Sequence, residues 1–268
     1  EAIGTVYSSD NWDEVTWEIA SNYTFENGMT GYATIQSGYQ SGQYPARPYC
    51  LFGDIECFVA SDNITAVNYE VGIKGRVNEY FDVSVAVFNT DFDDLPYQVS
   101  KVTENGFETD NQIVTQTSRG IELDTTFNYG NFSMMASVGY MDVDVDEQDG
   151  YKPVAPLTPD LTLAIGPSYT FDLEGGDSIR VRADYSYRSD MYGEPSSLAS
   201  RQTELDSREL VNVDIAYTPA DDAYTVALYG RNIFDERYDN ARLNTGDYII
   251  QVLSNDASEF GVRFSTEF

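Results

Sequence analysis

Hydrophobic and polar residues alternate along eleven segments of the chain, which is the period of a β-strand with one apolar and one polar face. The segment from Ser178 to Arg188 is the clearest example. One side of it carries Ile179, Val181, Ala183, Tyr185 and Tyr187, and the other carries Arg180, Arg182, Asp184, Ser186 and Arg188. Helical periodicity is hard to find elsewhere, so the pattern predicts an all-β chain.

The predicted strands are about eleven residues long or longer, which exceeds the usual length in soluble sheets. They cover residues 14–25, 29–39, 65–76, 81–99, 113–128, 131–145, 161–171, 178–188, 210–218, 224–234 and 258–268. Short turns, such as Glu26-Asn27-Gly28, alternate strictly with long connections, among them a polar loop predicted near residues 100–112. This alternation is typical of an outer-membrane β-barrel, whereas a soluble β-sandwich has shorter strands and crossover connections.

An energetic argument decides which face of these strands meets lipid. Each arginine that faces lipid near the bilayer midplane costs about 2–4 kcal/mol, so a face with three of them would cost up to about 6–12 kcal/mol. We therefore expect Arg180, Arg182 and Arg188 to face a polar lumen. There they are candidates for contact with an anionic ligand, and pairing with Asp or Glu on neighbouring strands is the alternative.

Aromatic residues near the outer rim form a second group of candidates. Tyr32, Tyr39, Tyr44 and Tyr49 are placed to stack on a ligand, with packing in an aromatic girdle or in the loops as the alternative.

The strand count indicates that this chain is part of a larger wall. Antiparallel closure normally takes an even number of strands, and open edges would present unpaired backbone groups to hydrocarbon. Eleven is half of the 22 strands found in plugged outer-membrane transporters. The sequence thus predicts a transmembrane antiparallel β-barrel, with about 11 strands of a 22-stranded plugged barrel present.

The balance of charge excludes one class of partner and weakens one class of activity. Forty-five acidic and 15 basic residues give a net charge of −30, which repels nucleic acid. The chain has no histidine, the commonest general base and metal ligand, and we find no pairing of a nucleophile with a base. We expect a protein that is not an enzyme and has no cofactor.

Two further features fall in the predicted loops. Cys50 and Cys57 lie close together, which suggests a disulfide that staples a loop, with free thiols or a metal site as alternatives. The acidic run from Asp142 to Gly150 lacks the glycine and glutamate of an EF-hand, so a looser calcium site or a solvated loop remains. The same two readings apply to Asp91, Asp93 and Asp94.

Several motifs resemble those of TonB-dependent outer-membrane receptors. The run Asn232-Ile233-Phe234-Asp235-Glu236-Arg237-Tyr238 is similar to that family's Asn-Leu-Phe-Asp-Glu-x-Tyr signature near the C-terminus. Residues 69–74, 88–95 and 120–123 resemble the Tyr-Glu-x-Gly-Leu-Lys, Phe-x-x-x-Tyr-x-Asp-Leu and Gly-Val-Glu-Leu segments, in the family's order. Phe268, together with Phe260, Val262 and Phe264, fits the terminal signal that the barrel-assembly machinery reads.

The resemblance implies that residues 1–268 are the C-terminal portion of such a receptor, with the plug domain and the N-terminal strands absent from this chain. It implies an outer membrane location in a Gram-negative bacterium, next to lipid and lipopolysaccharide. The TonB complex would act through the missing part. The implied function is energy-dependent import of a scarce, bulky nutrient, a ferric siderophore first, with cobalamin or an oligosaccharide as other options. A passive porin and a soluble β-sandwich binding module are the alternatives.

Overall fold

The protein is seen in a computed structural model that describes residues 9–44, 60–103, 106–147, 152–195, 203–244, 248–254 and 256–266. These residues form fifteen strands. They are β1 (Glu18–Thr24), β2 (Thr30–Gln40), β3 (Ile64–Asn78), β4 (Phe81–Thr103), β5 (Gly106–Tyr129), β6 (Phe132–Val145), β7 (Leu161–Asp172), β8 (Ser178–Arg188), β9 (Met191–Tyr192), β10 (Glu204–Leu205), β11 (Arg208–Thr218), β12 (Thr225–Arg231), β13 (Asp239–Asn244), β14 (Ile249–Leu253) and β15 (Glu259–Ser265). Within these ranges, no helix is long and apolar enough to cross a bilayer.

Eleven of the strands form one antiparallel sheet in which each strand pairs with the next along the wall. The order is β1-β2-β3-β4-β5-β6-β7-β8-β11-β12-β15. The remaining strands form two small hairpins, β9–β10 and β13–β14, inside long connections. The all-β prediction and the count of eleven wall strands are therefore confirmed, and one continuous sheet replaces the two facing sheets of the β-sandwich alternative.

Short turns join the strands at one end of the wall, as the sequence predicts, and long connections join them at the other, except between β4 and β5. The turn after β1 contains Gly28 at φ 85°, and the turn after β7 contains Gly176 at φ 96°. These are left-handed backbone conformations that glycine adopts without the steric cost of a Cβ. We call the end with the long connections the outer end.

Three of the predicted boundaries are clearly wrong. The strand predicted from residue 14 begins at Glu18. The polar loop predicted near residues 100–112 is mostly strand, because β4 and β5 continue their pairing as far as Thr103 and Gly106. Backbone hydrogen bonds hold the paired ends of β4 and β5 together, and these bonds do not require an apolar side-chain face. The polar residues in this stretch therefore carried no alternation from which the longer strands could be predicted. The strand predicted over residues 224–234 ends instead at Arg231, where a turn begins.

The register of the strands places apolar and charged residues on opposite faces of the wall. Residues directly opposite each other in antiparallel strands share a face. One such row runs through Val181, Ile215, Leu228 and Val262, and it is exposed, with Val262 67% accessible. The adjacent row pairs Arg182 with Asp214 on the other face. We call these the apolar face and the lumen face.

A one-layer wall has little interior, and the described residues contain one small buried cluster. It consists of Val114, Val145 and Ala155, with Leu95, Tyr97 and Val143 packed against it. The cluster lies at the outer end, where residues 153–155 fold back against the wall. Elsewhere the cohesion of the sheet comes from its ladders, and the apolar face is left for lipid to cover.

The wall is open at both sides. In the part of the chain that the structure describes, β1 pairs only with β2, and β15 pairs only with β12. Each edge leaves a row of backbone donors and acceptors without a partner, which hydrocarbon cannot satisfy.

The face assignment can be tested with two neighbouring residues. Val138 lies on the apolar face between Leu123 and Leu163, and Ser137 lies on the lumen face with its hydroxyl 2.6 Å from Asp124 Oδ1. Val138→Arg should lower the free energy of unfolding by about 2–4 kcal/mol, because the charge enters lipid. Ser137→Arg should have a much smaller effect, because it can pair with Asp124. Urea titration of the protein in lipid vesicles measures both, and a larger cost for Ser137→Arg would reverse the assignment.

Candidate ligand path and outer loops

Arginines in the inner half of the lumen face are already paired with carboxylates. Arg182 contacts Asp184, two residues along the same strand face, at 2.6 Å. Asp214 receives Arg263 at 2.8 Å from β15 and lies 3.9 Å from Arg180. Of the predicted ligand residues, Arg180 and Arg182 therefore have nearby negative charges on their own or neighbouring strands. Their arrangement matches the ion-pairing alternative.

Arg188 has a different environment at the outer end of β8. It stands directly opposite Arg208 on β11, and two like charges in this position repel each other. Its Nη2 donates to the backbone carbonyl of Asp206 at 2.8 Å, and its buried Nε has no hydrogen-bond partner among the described residues. Arg208 lies over the ring of Tyr238, with 4.6 Å from its Cζ to the ring centre. We call Arg188, Arg208 and Tyr238 the outer arginine cluster.

The candidate tyrosines do not come together. Tyr32 is on the lumen face, where its hydroxyl donates to Glu70 at 2.8 Å. Tyr39 is on the apolar face, because it is an even number of residues along β2 from Ile35, which pairs with Tyr69. Tyr44 makes an edge contact with Trp12, with ring centres 6.2 Å apart. Tyr49 lies outside the described residues. The placement of Tyr39 favours the aromatic girdle over contact with a ligand.

Carboxylates without cationic partners lie on the lumen face of β3 and β5. Glu70 and Glu122 line one shallow recess together with Asn68 and Thr90. Glu70 accepts the Tyr32 hydroxyl, and among the described residues neither glutamate has an ion pair within salt-bridge distance. The lumen face thus carries unpaired negative charge on β3 and β5. At the outer ends of β8 and β11 it carries two arginines that have no salt bridge among the described residues, with Asp190 as a more distant negative charge acting on Arg188.

Three long connections at the outer end are hydrogen-bonded to one another. The amide of Leu157, after β6, donates to the carbonyl of Tyr192 in β9 at 2.7 Å. Arg242 of β13 donates through Nη1 to the carbonyl of Glu204 in β10 at 2.8 Å. Leu205 is fully buried where these segments meet. The outer end of β6–β15 is therefore one interlocked loop assembly.

Glu194 is a further link within this loop assembly. Its carboxylate accepts the backbone amide of Asn244 at 3.2 Å, so it joins the connection after β8 to the hairpin β13–β14. Burial raises the pKa of Glu194, and the bond from the amide of Asn244 opposes that shift without cancelling it. The carboxylate is therefore harder to ionise here than in water.

The Asn-Ile-Phe-Asp-Glu-Arg-Tyr motif that follows β12 forms a hydrogen-bonded turn. Asn232 is 4% exposed and adopts φ 43°, and its side-chain amide donates to the carbonyls of Glu236, at 3.0 Å, and Asp256. Its Oδ1 accepts the amide of Glu236 at 2.8 Å. The hydroxyl of Tyr238 donates to the carboxylate of Asp256. The motif therefore holds the end of β12 to the residues just before β15.

The remaining predicted sites are settled only in part. Cys50, Cys57 and Phe268 lie outside the described residues. Phe260, Val262 and Phe264 lie on the apolar face of β15, as the predicted assembly signal requires. In the acidic segment, Asp142 pairs with Arg119 and Asp144 pairs with Lys152, both at 2.6 Å. No group of three or more His, Cys, Asp or Glu side chains is arranged for a metal ion in the described ranges.

Sequence reasoning missed Arg208, Tyr238 and the hairpin β13–β14. Arg208 precedes the predicted start of its strand, and its closeness to Arg188 depends on register between strands about twenty residues apart. The one available signal was the uncharged run of residues 248–254 in a chain of net charge −30. Such a run in a predicted loop indicates a buried or paired strand.

Replacing Asn232 with alanine should loosen the turn after β12. The change removes the hydrogen bonds from Asn232 to backbone groups of Glu236 and Asp256, at about 0.5–1.5 kcal/mol for each bond. Hydrogen exchange of residues 232–238 and 256–260 in the folded protein should become faster. Asn240→Ala, at an exposed position nearby, is the matched control. Equal exchange in the two variants would show that the motif has no anchoring role.

The anchoring turn should also depend on pH through Asp235. The amide of Ser258 and the side chain of Arg237 both bond to this carboxylate and hold its pKa below the usual range. Because the folded pKa is depressed, the stabilisation is complete above the ordinary carboxyl pKa. It is lost as the pH falls through the lower, folded value. Exchange at Ser258, corrected for its intrinsic rate, should rise in acid, and Asp235→Asn should abolish this rise. A rise that persists in the variant would assign it to another group.

Comparison with known proteins agrees with this architecture. A family model described as TonB dependent receptor-like, beta-barrel, matches residues 2–233. Similar solved structures include the ferric yersiniabactin uptake receptor FyuA from Yersinia pestis, with TM-score 0.76, 15% identity, 94% of this chain and 37% of that chain covered. Another is BauA, the ferric preacinetobactin receptor from Acinetobacter baumannii, with TM-score 0.67 and 17% identity, and the match covers 93% of this chain and 35% of that chain. The copper transporter OprC gives TM-score 0.69 and 15% identity, and the match covers 94% of this chain and 39% of that chain.

These structural likenesses concern the fold, and the chain spans between 35% and 39% of the length of the three proteins. The family match covers most of the chain and agrees with the open wall of eleven strands. Barrels of this family lie in the outer membrane of Gram-negative bacteria. The chain belongs to the TonB-dependent receptor β-barrel family and is a segment of an outer-membrane barrel wall.

Proposed function

We propose that this chain is the C-terminal portion of a TonB-dependent importer that takes up a scarce, bulky nutrient, a ferric siderophore first. The observation that carries the proposal is a wall of eleven antiparallel strands with one apolar face, one charged face and two open edges. A wall of this kind is stable in a bilayer only when further strands close it. Eleven more strands would give the 22 of a plugged transporter.

The lumen face supports a folded plug inside the closed barrel. A bore of 22 strands is too wide for wall side chains to fill, so a separate domain occupies it in transporters of this size. Glu70 and Glu122 would meet cationic groups of that plug, because carboxylates without partners gain most from a positive neighbour in a confined space. The TonB complex would act on the plug, and the barrel-assembly machinery would read the apolar face of β15.

The outer arginine cluster supports an anionic ligand. Arg188 and Arg208 face each other and repel, and the Asp190 carboxylate opposes only part of this effect on Arg188. An incoming anion would relieve the repulsion further and accept charge-assisted hydrogen bonds. Ferric complexes that carry carboxylate, catecholate or hydroxamate oxygens match this chemistry. Cobalamin and oligosaccharides, which offer mostly neutral groups, match it less well. Two of the similar structures are receptors for ferric yersiniabactin and ferric preacinetobactin.

The outer membrane also supplies partners on the apolar side. Arg119 and Lys152 lie at the outer end, on or next to strands whose apolar faces turn to lipid, and both are more than half exposed. They are suited to the phosphates of lipopolysaccharide. We assign no catalytic role to the chain, and a disulfide between Cys50 and Cys57 remains our proposal for the loop after β2.

Uptake by living cells tests the proposal. A strain that lacks the complete receptor should lose import of one ferric siderophore from a labelled panel, and the gene should restore it. Import should stop when the energy-coupling protein of the inner membrane is removed, while binding at the cell surface persists. Uptake that is unsaturable and independent of energy would instead identify a passive porin.

The ligand role of Arg188 can be separated from a structural role. Arg188→Gln should weaken ligand binding about 10-fold or more, because a hydrogen bond to a charged group contributes about 1.5–3 kcal/mol. Arg182→Gln, a similar change at an arginine paired with Asp184, should leave ligand affinity unchanged. Equilibrium binding to whole cells, at equal receptor levels, measures both. Equal affinities in the two variants would remove Arg188 from the ligand path.

A further inference from the structure

The strand β14, Ile249–Leu253, is an unusual surface feature for this protein. Its sequence is Ile-Ile-Gln-Val-Leu, without a charge, in a chain of net charge −30. All five residues are exposed, Val252 at 44% and Leu253 at 63%. Natural proteins protect hydrophobic edge strands with charges, prolines or a covering segment, because a bare edge pairs with other chains. None of the described residues covers β14.

One edge of the hairpin β13–β14 is already occupied. β13 pairs with β14 on one side and approaches β10 on the other, where Arg242 Nη1 donates to the carbonyl of Glu204 at 2.8 Å. The amide of Asn244, also in β13, is held by Glu194. With respect to the described residues, the free edge of the hairpin is therefore that of β14, which faces away from β10.

The direction of this free edge follows from the order of the wall. β12 and β15 are neighbours in the wall, and the hairpin β13–β14 continues them outward, since β13 follows β12 and β14 leads into β15. β13 is the strand that contacts β10, so β14 lies on the β15 side of the hairpin. Five residues after β14, the chain enters β15, whose outer edge also has no partner in the described part of the chain. Two free edges, one in the wall and one above it, therefore point to the same side.

We propose that the free edge of β14 pairs with an extended segment from an outer loop of the receptor's own N-terminal barrel strands. This rests on the proposed function, in which those strands stand beside β15 and close the barrel. Their outer loops would be the chain nearest to β14. A partner strand with one apolar face would cover Ile250 and Val252, which share a face of the hairpin with Leu243 and Ala241.

The position argues against other occupants. A second receptor copy would have to reach β14 across the strand that pairs with β15. Lipid is excluded because the hairpin lies in a long connection at the outer end, above the membrane-spanning part of the wall. The loop pairing would thus add backbone hydrogen bonds, outside the bilayer, to the junction between β15 and the N-terminal strands.

Photo-crosslinking in the complete receptor tests the proposal. A benzophenone amino acid replaces Val252 in intact cells, and the cross-linked peptides are mapped by mass spectrometry. The expected product is an intramolecular link to an outer loop in the first third of the receptor's barrel. The matched control places the same group at Leu228, on the apolar face, where it should give no link to that loop. Links to a second copy, links to lipopolysaccharide, or no link in an assembled receptor would each overturn the proposal.

A second measurement does not depend on a variant of β14. Shortening the linked loop to a tight turn should cause loss of hydrogen-exchange protection across residues 249–253, while the β12–β15 ladder stays protected. Unchanged protection would overturn the proposal. Energy-dependent uptake separates the two hypotheses. Normal uptake without the N-terminal link contradicts only the loop pairing, and the link without energy-dependent uptake contradicts only the proposed function.

Discussion

The need to satisfy every backbone donor and acceptor without water governs this structure. In hydrocarbon a strand is stable only between two others, so a wall of antiparallel ladders has to continue until it meets itself. In the described wall, nine of the eleven strands have a partner on both sides, whereas β1 and β15 each have a partner on one side only. Side-chain packing plays a smaller part, because the one buried cluster found in the described ranges, around Val114 and Val145, lies at the outer end.

Charge on the lumen face is divided by depth. On β8, β11 and β15, Arg182 and Arg263 meet Asp184 and Asp214 in the inner half. At the outer end, Arg188 and Arg208 stand opposite each other with carbonyl and aromatic contacts, and the Asp190 carboxylate acts on Arg188. On these strands an anion from outside would meet the two arginines first, while Glu70 and Glu122 leave unpaired negative charge on β3 and β5.

The sequence predicted the wall better than it predicted the site, for a physical reason. The alternation over residues 178–188 separates the apolar face of the strand from its polar face directly, and β8 has the predicted bounds. Which arginine is paired depends on register between strands, as in the contact of Asp214 with Arg263 from β15. Tyr39 and Tyr32 look alike in the sequence, but an odd separation along β2 puts them on opposite faces. Polar strands above the bilayer, such as the far ends of β4 and β5, carry no alternation that could be read.

The meander order has a consequence for how such a receptor can be made. Each wall strand forms its ladder with adjacent strands only, and successive hairpins, apart from the junction of β4 with β5, are joined at the outer end by long connections. A break in one of these connections leaves the ladders of the wall intact, whereas a break in a short turn disrupts a hairpin. Two separately synthesised polypeptides that divide the barrel at a long connection would therefore carry all the information needed to assemble one pore.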